Sequence, residues 1–388
     1  MDCKGFRELE RISHVVGNKA EYVQGGGGNT SVKLEQRQGL EQNLNLETKV
    51  EFNKLMAVKA SGYKLKQITT EDGFVVVNYK NIKEYYEKVD FEQDIDYEKD
   101  SVKFTKDNIV KIEGLKELRP SVEAGFHSIL KKYVIHTHPV YANIVCCSTN
   151  GEELVREIFP EEQWNTLWIP YVNPGFFLTV KIKDGIEKCE KKGKFPEVIF
   201  MENHGLIVTS DDMENCITLH NKVNDQIKKY FKIDKPYPEI KIIRLDKEIS
   251  KNYNISGGYH ITESEDVCGN RDAYISMTGY LKDFFKGSNL CRNFFEKYVL
   301  YPDQLVYLND SASLDKDENR LNINTLTGEL IYRTNYNEAL TIEETLLAYI
   351  YIIKNIEKCG LKVKSMTLEE IDYIRNWESE KYRKSLMK

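Results

Sequence analysis

Histidine is scarce in this chain, with seven among 388 residues. Two of them, His136 and His138, stand one residue apart in the run HTHP. On an extended backbone, residues i and i+2 point to the same face, so both imidazoles can meet one ion. Neutral imidazole suits zinc and the neighbouring transition metals. A catalytic metal site asks for about three protein ligands and one open position. A third histidine, His204, stands in ENHGL between two strand-like runs, where a turn can aim a side chain into a cleft. The same residues also have ordinary readings: a His-x-His strand that binds nothing, and a turn histidine before glycine. Spacing alone does not join His204 to the pair.

A carboxylate lies nearby in the chain. Glu123, in RPSVEAGFH, precedes His136 by 13 residues, on a helix that leads into the histidine strand. Beside a metal it could act as a general base or as a further ligand. On spacing alone it is equally a solvated helical glutamate. His127, one helical turn on, either supports Glu123 or packs in the core. The run GGGGNTS at 25–31 is not a nucleotide fingerprint. It lacks a G-x-G-x-x-G that opens a helix and the Lys-Ser/Thr of a phosphate loop. It can still offer backbone N–H groups and the Asn29 amide to an anion. KASGYKL at 59–65 is a second small-residue turn, with Ser61 and Gly62 available in the same way. Each run is also an ordinary loop.

These groups need elements to hold them. Residues 1–16 read as an amphipathic helix with Phe6, Leu9, Ile12 and Val16 on one face. Ser31 to Leu34 begin a strand, and short strands follow at 55–60 and 74–78. The segment 81–111 is dense in Lys, Glu and Asp and reads as a surface helix and loop insertion. A helix is predicted from Ser121, with Val122, Phe126, Ile129 and Leu130 apolar, then a strand at 134–138. A further helix follows, with Pro139 in its first turn. TLWIPYV and EVIFMENHGLIVTS read as buried strands, the second turning at Asn203–Gly205. Residues 211–233 form a long helix capped by Asp211 or Asp212. The elements mix without a strict βαβ rhythm, which favours a layered α/β fold. The two prolines of DKPYPEIK (234–241) mark a boundary, giving domains at 1–235 and 236–388. The second is a smaller α/β or α+β region. It has helices near 272–286 and 289–299, strands near 304–308 and 329–334, a long helix near 338–357 and a terminal helix from 367.

Composition excludes several classes. The 55 basic and 61 acidic residues give a formal charge of -6, so no overall basic excess invites nucleic acid or an anionic membrane. The most apolar run, 339–353, is broken by Glu343 and Glu344, and no stretch reaches the roughly 18–20 apolar residues of a membrane span. The N-terminal run has no signal-peptide layout. Eight irregularly placed cysteines without a C-x-x-C pair read as reduced, mostly buried thiols. A cytoplasmic protein is expected.

In order, GGGGNTSVK, VKASGYKL, RPSVEAGFH, HTHP, YVNPGFFL and FMENHGLIV resemble the class II aldolase/adducin family, over roughly residues 5 to 232. The likeness is nearest to the aldolase part of long proteins that join a rhamnulose-phosphate-aldolase-like domain to a short-chain dehydrogenase. YPDQLVYLN (301–309) and WESEKYR (377–383) also look like that long form, although no dehydrogenase fingerprint follows. The resemblance implies a class II aldolase-like layered α/β/α domain with a smaller C-terminal domain. It implies a divalent metal, zinc first with Co²⁺, Mn²⁺ or Fe²⁺ as alternatives, held by His136, His138 and His204, and no nucleotide cofactor. Glu123 falls on the family's acid/base, and Asn29, Ser61, Gly62 and Ser121 fall on positions that hold substrate phosphate. Val122 stands where the sugar-phosphate members have a second serine, which weakens that assignment. The implied activity is retro-aldol cleavage of a ketose or ketose phosphate, with the metal stabilising an enediolate. A family tyrosine that protonates the aldehyde-side oxygen is not assignable among 24. Decarboxylase, dehydratase or epimerase chemistry and a non-catalytic adducin-like scaffold are the rival readings. The expected partners are a small sugar substrate and further copies of the chain, a tetramer being common in the family, with no nucleic acid and no membrane.

Overall fold

Along each strand of the N-terminal part, successive side chains fill two different cores. On β4 (Tyr133–Thr137), Tyr133 and Ile135 enter one core and Val134 the other. On β6 (Val198–Met201), Val198 and Phe200 part from Ile199 and Met201 in the same way. A sheet buried on both faces explains why these runs are apolar throughout instead of alternating with polar residues. The computed structural model describes residues 3–35, 51–92, 94–245, 273–291 and 293–377. The sheet has seven strands, adding β1 (Asn29–Lys33), β2 (Leu55–Lys59), β3 (Phe74–Asn78), β5 (Thr166–Ile169) and β7 (Gly205–Ser210). Their spatial order is β3-β2-β1-β4-β7-β6-β5. Only the β5–β6 pair is parallel; the others are antiparallel.

Helices cover both faces. α1 (Lys4–Gly17), α5 (Val140–Cys146), α6 (Gly151–Ile158) and α8 (Met213–Tyr230) line one. α2 (Tyr79–Lys88), α4 (Ala124–Ile129) and α7 (Phe176–Glu190) line the other. This is the expected α/β/α layering. α1 buries Phe6, Leu9, Ile12 and Val16, the predicted face. Asp212 caps α8, its carboxylate accepting from the Asn215 N–H at 2.8 Å.

A second sheet follows the first domain. Its strands β8 (Ile242–Arg244), β9 (Ala273–Ser276), β10 (Ala312–Leu314), β11 (Leu321–Asn324) and β12 (Glu329–Arg333) lie in the order β10-β11-β12-β9-β8. The 23-residue helix Tyr336–Lys358 packs on this sheet and on α5. Its buried Leu346, Ile350 and Ile356 belong to the same continuous core as Phe6 of α1 and Phe200 of β6.

Several local expectations change. The charged segment 81–111 is not a loose insertion. α2 and α3 (Tyr97–Asp107) turn Ile82, Tyr86, Ser101 and Thr105 inward, and Tyr86 stacks on Phe176 with centroids 5.6 Å apart. Most of its lysines cover the outer side, while Glu98 turns inward and accepts from the Phe176 N–H at 3.1 Å. The helix expected from Ser121 starts at Ala124. An isolated bridge between Ala60 and Pro120 holds the chain extended at 120, and a turn at Val122–Glu123 leads into the helix. Residues 304–308 are helical and not a strand. Pro302 opens a short helix, Pro302–Gln304, that runs into a π-turn, Leu305–Asn309. Leu305 to Leu308 are all buried, and a short apolar run buried all round carries no period that separates strand from helix. The helix expected at 272–286 is strand β9 followed by the helix Gly279–Phe285, and only Phe294–Lys297 is helical within 289–299. WESEKYR lies outside the described residues beyond Trp377.

Because the core is continuous, Leu346→Ala is expected to lower unfolding free energy by about 2–5 kcal/mol. Circular dichroism should move together with tryptophan fluorescence from Trp164 and Trp168 of the first domain. Loss of the C-terminal helix signal with those tryptophans unmoved would refute the shared core.

Candidate active site

β4 delivers His136 to the face shared with α4, where Phe126 packs edge-on against its ring at 5.6 Å between centroids. The strand ends at Thr137, so His138 is the first residue beyond it. Its N–H donates to the Tyr22 carbonyl at 3.1 Å, which continues the strand's line. Thr137 points the opposite way and pairs its hydroxyl with His220 Nε2 at 2.7 Å. His204 comes from the β6–β7 turn, where Asn203 adopts φ 50, a left-handed conformation that asparagine tolerates. Gly205 lets that turn close on β4. A β-carbon there would stand 2.5 Å from the Thr137 carbonyl oxygen and 2.9 Å from the His138 ring.

The three rings converge. Nε2 of His136 and Nε2 of His138 are 3.2 Å apart. The His204 ring lies 5.0 Å from that of His136 and 5.2 Å from that of His138. One ligand atom from each lies within 4.8 Å of the others. Glu123 Oε1 stands 3.4 Å from Nε2 of both His136 and His204. All three histidines are buried.

The outer ring atoms fix the tautomers. His136 Nδ1 is 3.0 Å from the Leu206 carbonyl oxygen, and His138 Nδ1 is 2.6 Å from Asp303 Oδ2. Both partners accept, so each Nδ1 carries a proton, and in a neutral ring the Nε2 keeps its lone pair. With both rings neutral, the two Nε2 lone pairs face each other at 3.2 Å beside a carboxylate oxygen. That donor set, three imidazoles and an adjacent carboxylate, fits a divalent cation of the zinc type.

Electrostatics agree. Burial pushes the His204 imidazole down to about 4 against the opposing pull of Glu123, which keeps it neutral at pH 7. For Glu123, burial raises the carboxyl, and His136 and His204, when protonated at Nε2, outweigh burial and hold the group well below the usual carboxylate range.

The expected anion-binding positions lie around this cluster. Asn29 pairs across β1–β4 with His136, and both polar atoms of its buried side chain have no hydrogen-bond partner among the described residues. The Ser61 N–H donates to the Arg119 carbonyl at 2.9 Å, beside the Ala60–Pro120 bridge. Gly62 sits at φ +85, and its carbonyl oxygen lies 3.7 Å from where a Gly26 β-carbon would stand. The Ser121 hydroxyl accepts from the Glu123 N–H at 3.3 Å. The tertiary fold thus brings these three strings to one end of the sheet. His127 does not reach out to support the Glu123 carboxylate through a hydrogen bond of its own ring; Nδ1 pairs with Ser31 Oγ at 2.7 Å.

Lys59 escapes sequence reasoning. It is buried, with Nζ donating to the Gly26 carbonyl at 3.1 Å. Its signal is a lone charge at the end of the apolar strand LMAVK. Asp303, in the run YPDQLVYLN, reaches His138 from the C-terminal region.

The sequence matches the model of the family described as "Class II Aldolase and Adducin N-terminal domain" over residues 7–228. A Bacillus subtilis (strain 168) protein named "Uncharacterized oxidoreductase YuxG" is 28% identical over 214 residues. That match covers 55% of this chain and only 27% of the relative's length, so the oxidoreductase designation describes a much longer protein. Among solved structures, the N-terminal class II aldolase domain of a conserved Thermoplasma acidophilum protein is similar at 23% identity and a TM-score of 0.46. The similarity covers 59% of this chain and 94% of that one. A sugar-phosphate aldolase from Thermotoga maritima is similar at 13% identity and a TM-score of 0.41, covering 60% and 97%.

His127 and His220 flank this cluster, and burial pushes each down to about 3. Unfolded, each protonates near pH 6.5. The unfolded chain therefore binds the extra protons below that pH, and stability falls as pH drops from about 6.5 towards 3, by up to about 1.4 kcal/mol per pH unit per histidine. Urea unfolding of the parent and of His220→Gln at pH 7 and pH 5 checks this. An equal pH slope in both proteins would contradict the assignment for His220.

Proposed function

The chain belongs to the class II aldolase and adducin N-terminal domain family, and on that premise we propose that it is a metal-dependent carbon–carbon lyase acting on a ketose or ketose phosphate. The observation that carries this reading is the convergence of His136 Nε2 and His138 Nε2, 3.2 Å apart beside Glu123, with His204 closing the set. In this reading residues 1–235 are the catalytic domain and 236–388 an accessory one, and the protein works as a cytoplasmic homo-oligomer. His136, His138 and His204 would hold the cation, zinc first. When bound, it supplies Lewis-acid stabilisation of negative charge developing on the substrate's carbonyl oxygen.

The protein's own groups do the rest. Retro-aldol cleavage breaks one carbon–carbon bond, releases an aldehyde and leaves an electron pair on the carbon of the remaining fragment. That carbon gains a proton, and the hydroxyl that becomes the aldehyde loses one, so protons balance. Glu123 is the carboxyl placed to hand over the carbon's proton. Facing positive charge at His136 and His204, whether their own protons or the cation they would hold, it is held ionised and is a poor acid. Moving away from them raises its proton affinity, so its working position differs from its resting one. Asn29, Ser61, Gly62 and Ser121 would bind the substrate's polar end. The unpartnered Asn29 amide supports that role, because a buried polar group left unpaired costs about 1–3 kcal/mol unless a ligand or water satisfies it.

Glu123→Gln is expected to retain metal, by elemental mass spectrometry, and to lose about 10²–10⁴-fold in turnover, followed by NMR analysis of products from a panel of ketoses and ketose phosphates. Full activity would remove Glu123 from the mechanism. Products lacking an aldehyde would reassign the reaction to an epimerase, dehydratase or decarboxylase. His136→Ala is expected to lose the metal.

A further inference from the structure

Asp303 lies outside the residues matched by the family, which end at 228, so nothing in that family assigns it a role. It is buried, and its Oδ2 stands 2.6 Å from His138 Nδ1. We propose that Asp303 is a positioning residue of the metal site: it holds His138 in one tautomer and orientation, and through it the C-terminal region completes the site. This inference rests on the three-histidine reading above.

Three observations support it independently of one another. The geometry is that of a carboxylate–histidine pair, in which a carboxylate behind the imidazole fixes the ring and makes the opposite nitrogen a stronger ligand. The segment that carries Asp303 is itself held rigidly: the Leu300 N–H donates to Gln304 Oε1 at 2.7 Å, and Gln304 Nε2 donates to the Tyr298 carbonyl at 2.9 Å. The same segment grips the residue before His204, because Asn203 Nδ2 donates to the carbonyls of Leu300 at 2.7 Å and Lys364 at 2.8 Å. Two of the three histidines are thus braced from beyond the family-matched part.

The third observation is in the glycine run. A β-carbon on Gly27 would stand 2.1 Å from Asp303 Oδ2 and 3.1 Å from His138 Nδ1. Glycine at this position admits the carboxylate to the imidazole. This gives the third glycine of GGGG a purpose that neither nucleotide binding nor turn geometry supplies. A merely structural ion pair between Asp303 and a protonated His138 would hold the fold together without affecting metal affinity, and the two cases are separable.

The test uses the full chain with Zn²⁺ and Co²⁺ as probes. Zn²⁺ affinity is measured by competition with a chromophoric chelator, and the visible spectrum of the Co²⁺ form reports ligand geometry. Asp303→Ala and Gly27→Ala are expected to weaken Zn²⁺ binding by about 10–100-fold and to shift the Co²⁺ bands. Asp303→Asn, which keeps an acceptor without the charge, should lose less. Gly27→Ala changes no polar group, so it tests the same contact if Asp303→Ala fails to fold. Parent-like affinity and spectra in the folded variants would overturn the role of Asp303 and leave the metal site standing. Failure of the parent to bind either ion would overturn both.

Discussion

Imidazole nitrogens whose lone pairs point at one another repel, and burial away from water removes the solvent that would soften the repulsion. Here Nε2 of His136 and Nε2 of His138 stand 3.2 Å apart, in that relation when both rings are neutral, with a Glu123 oxygen beside them. The arrangement holds because the opposite face of each ring is engaged, by the Leu206 carbonyl in one case and the Asp303 carboxylate in the other. Everything else in the site serves to keep those acceptors in place. A neutral-imidazole, ionised-carboxylate set of this kind has the donors that a divalent cation of the zinc type takes.

The sheet makes this possible by geometry alone. β4 runs between β1 and β7, so it is central and its backbone is paired on both sides. Its end therefore cannot drift, and the two histidines inherit that rigidity. Thr137 between them is also satisfied, by His220 on the far face. The β6–β7 turn brings His204 onto the same point through a left-handed Asn203 and a glycine that a larger residue could not replace. A site built on paired strands holds its geometry better than one built on loops.

The C-terminal region is packed into the same core and reaches the site on two sides. Its long helix buries two carboxylates in succession. Glu343 is satisfied by Ser276 Oγ at 2.6 Å and by the Tyr332 hydroxyl, inside its own sheet. Glu344 instead accepts from the Gly25 N–H at 3.0 Å, and Thr341 accepts from Lys64 Nζ at 2.8 Å. The glycine loop and the Ser61–Gly62 turn are thus tied to this helix, while Asp303 and Leu300 reach the histidine loops. Buried polar groups of this kind demand partners, and those partners lie across the two sheets.

Residue order alone determined a good deal. The face of α1, the three N-terminal strands, a cap at Asp211 or Asp212 and the turn at Asn203–Gly205 follow from local period and turn chemistry. So does the family, because six short strings keep their order. Local signals failed where burial is uniform, as at Leu305–Leu308, or where charge hides an aromatic inner side, as in α2 and α3. The family resemblance named the three histidines, and the tertiary structure shows that they meet, because His204 is distant in sequence and joined through β-sheet register. Only the tertiary structure decided that Asp303 backs His138 and that Gly27 makes room for it. A periodicity describes one element's faces. A metal site depends on distances between elements, and those are set by packing of the whole core.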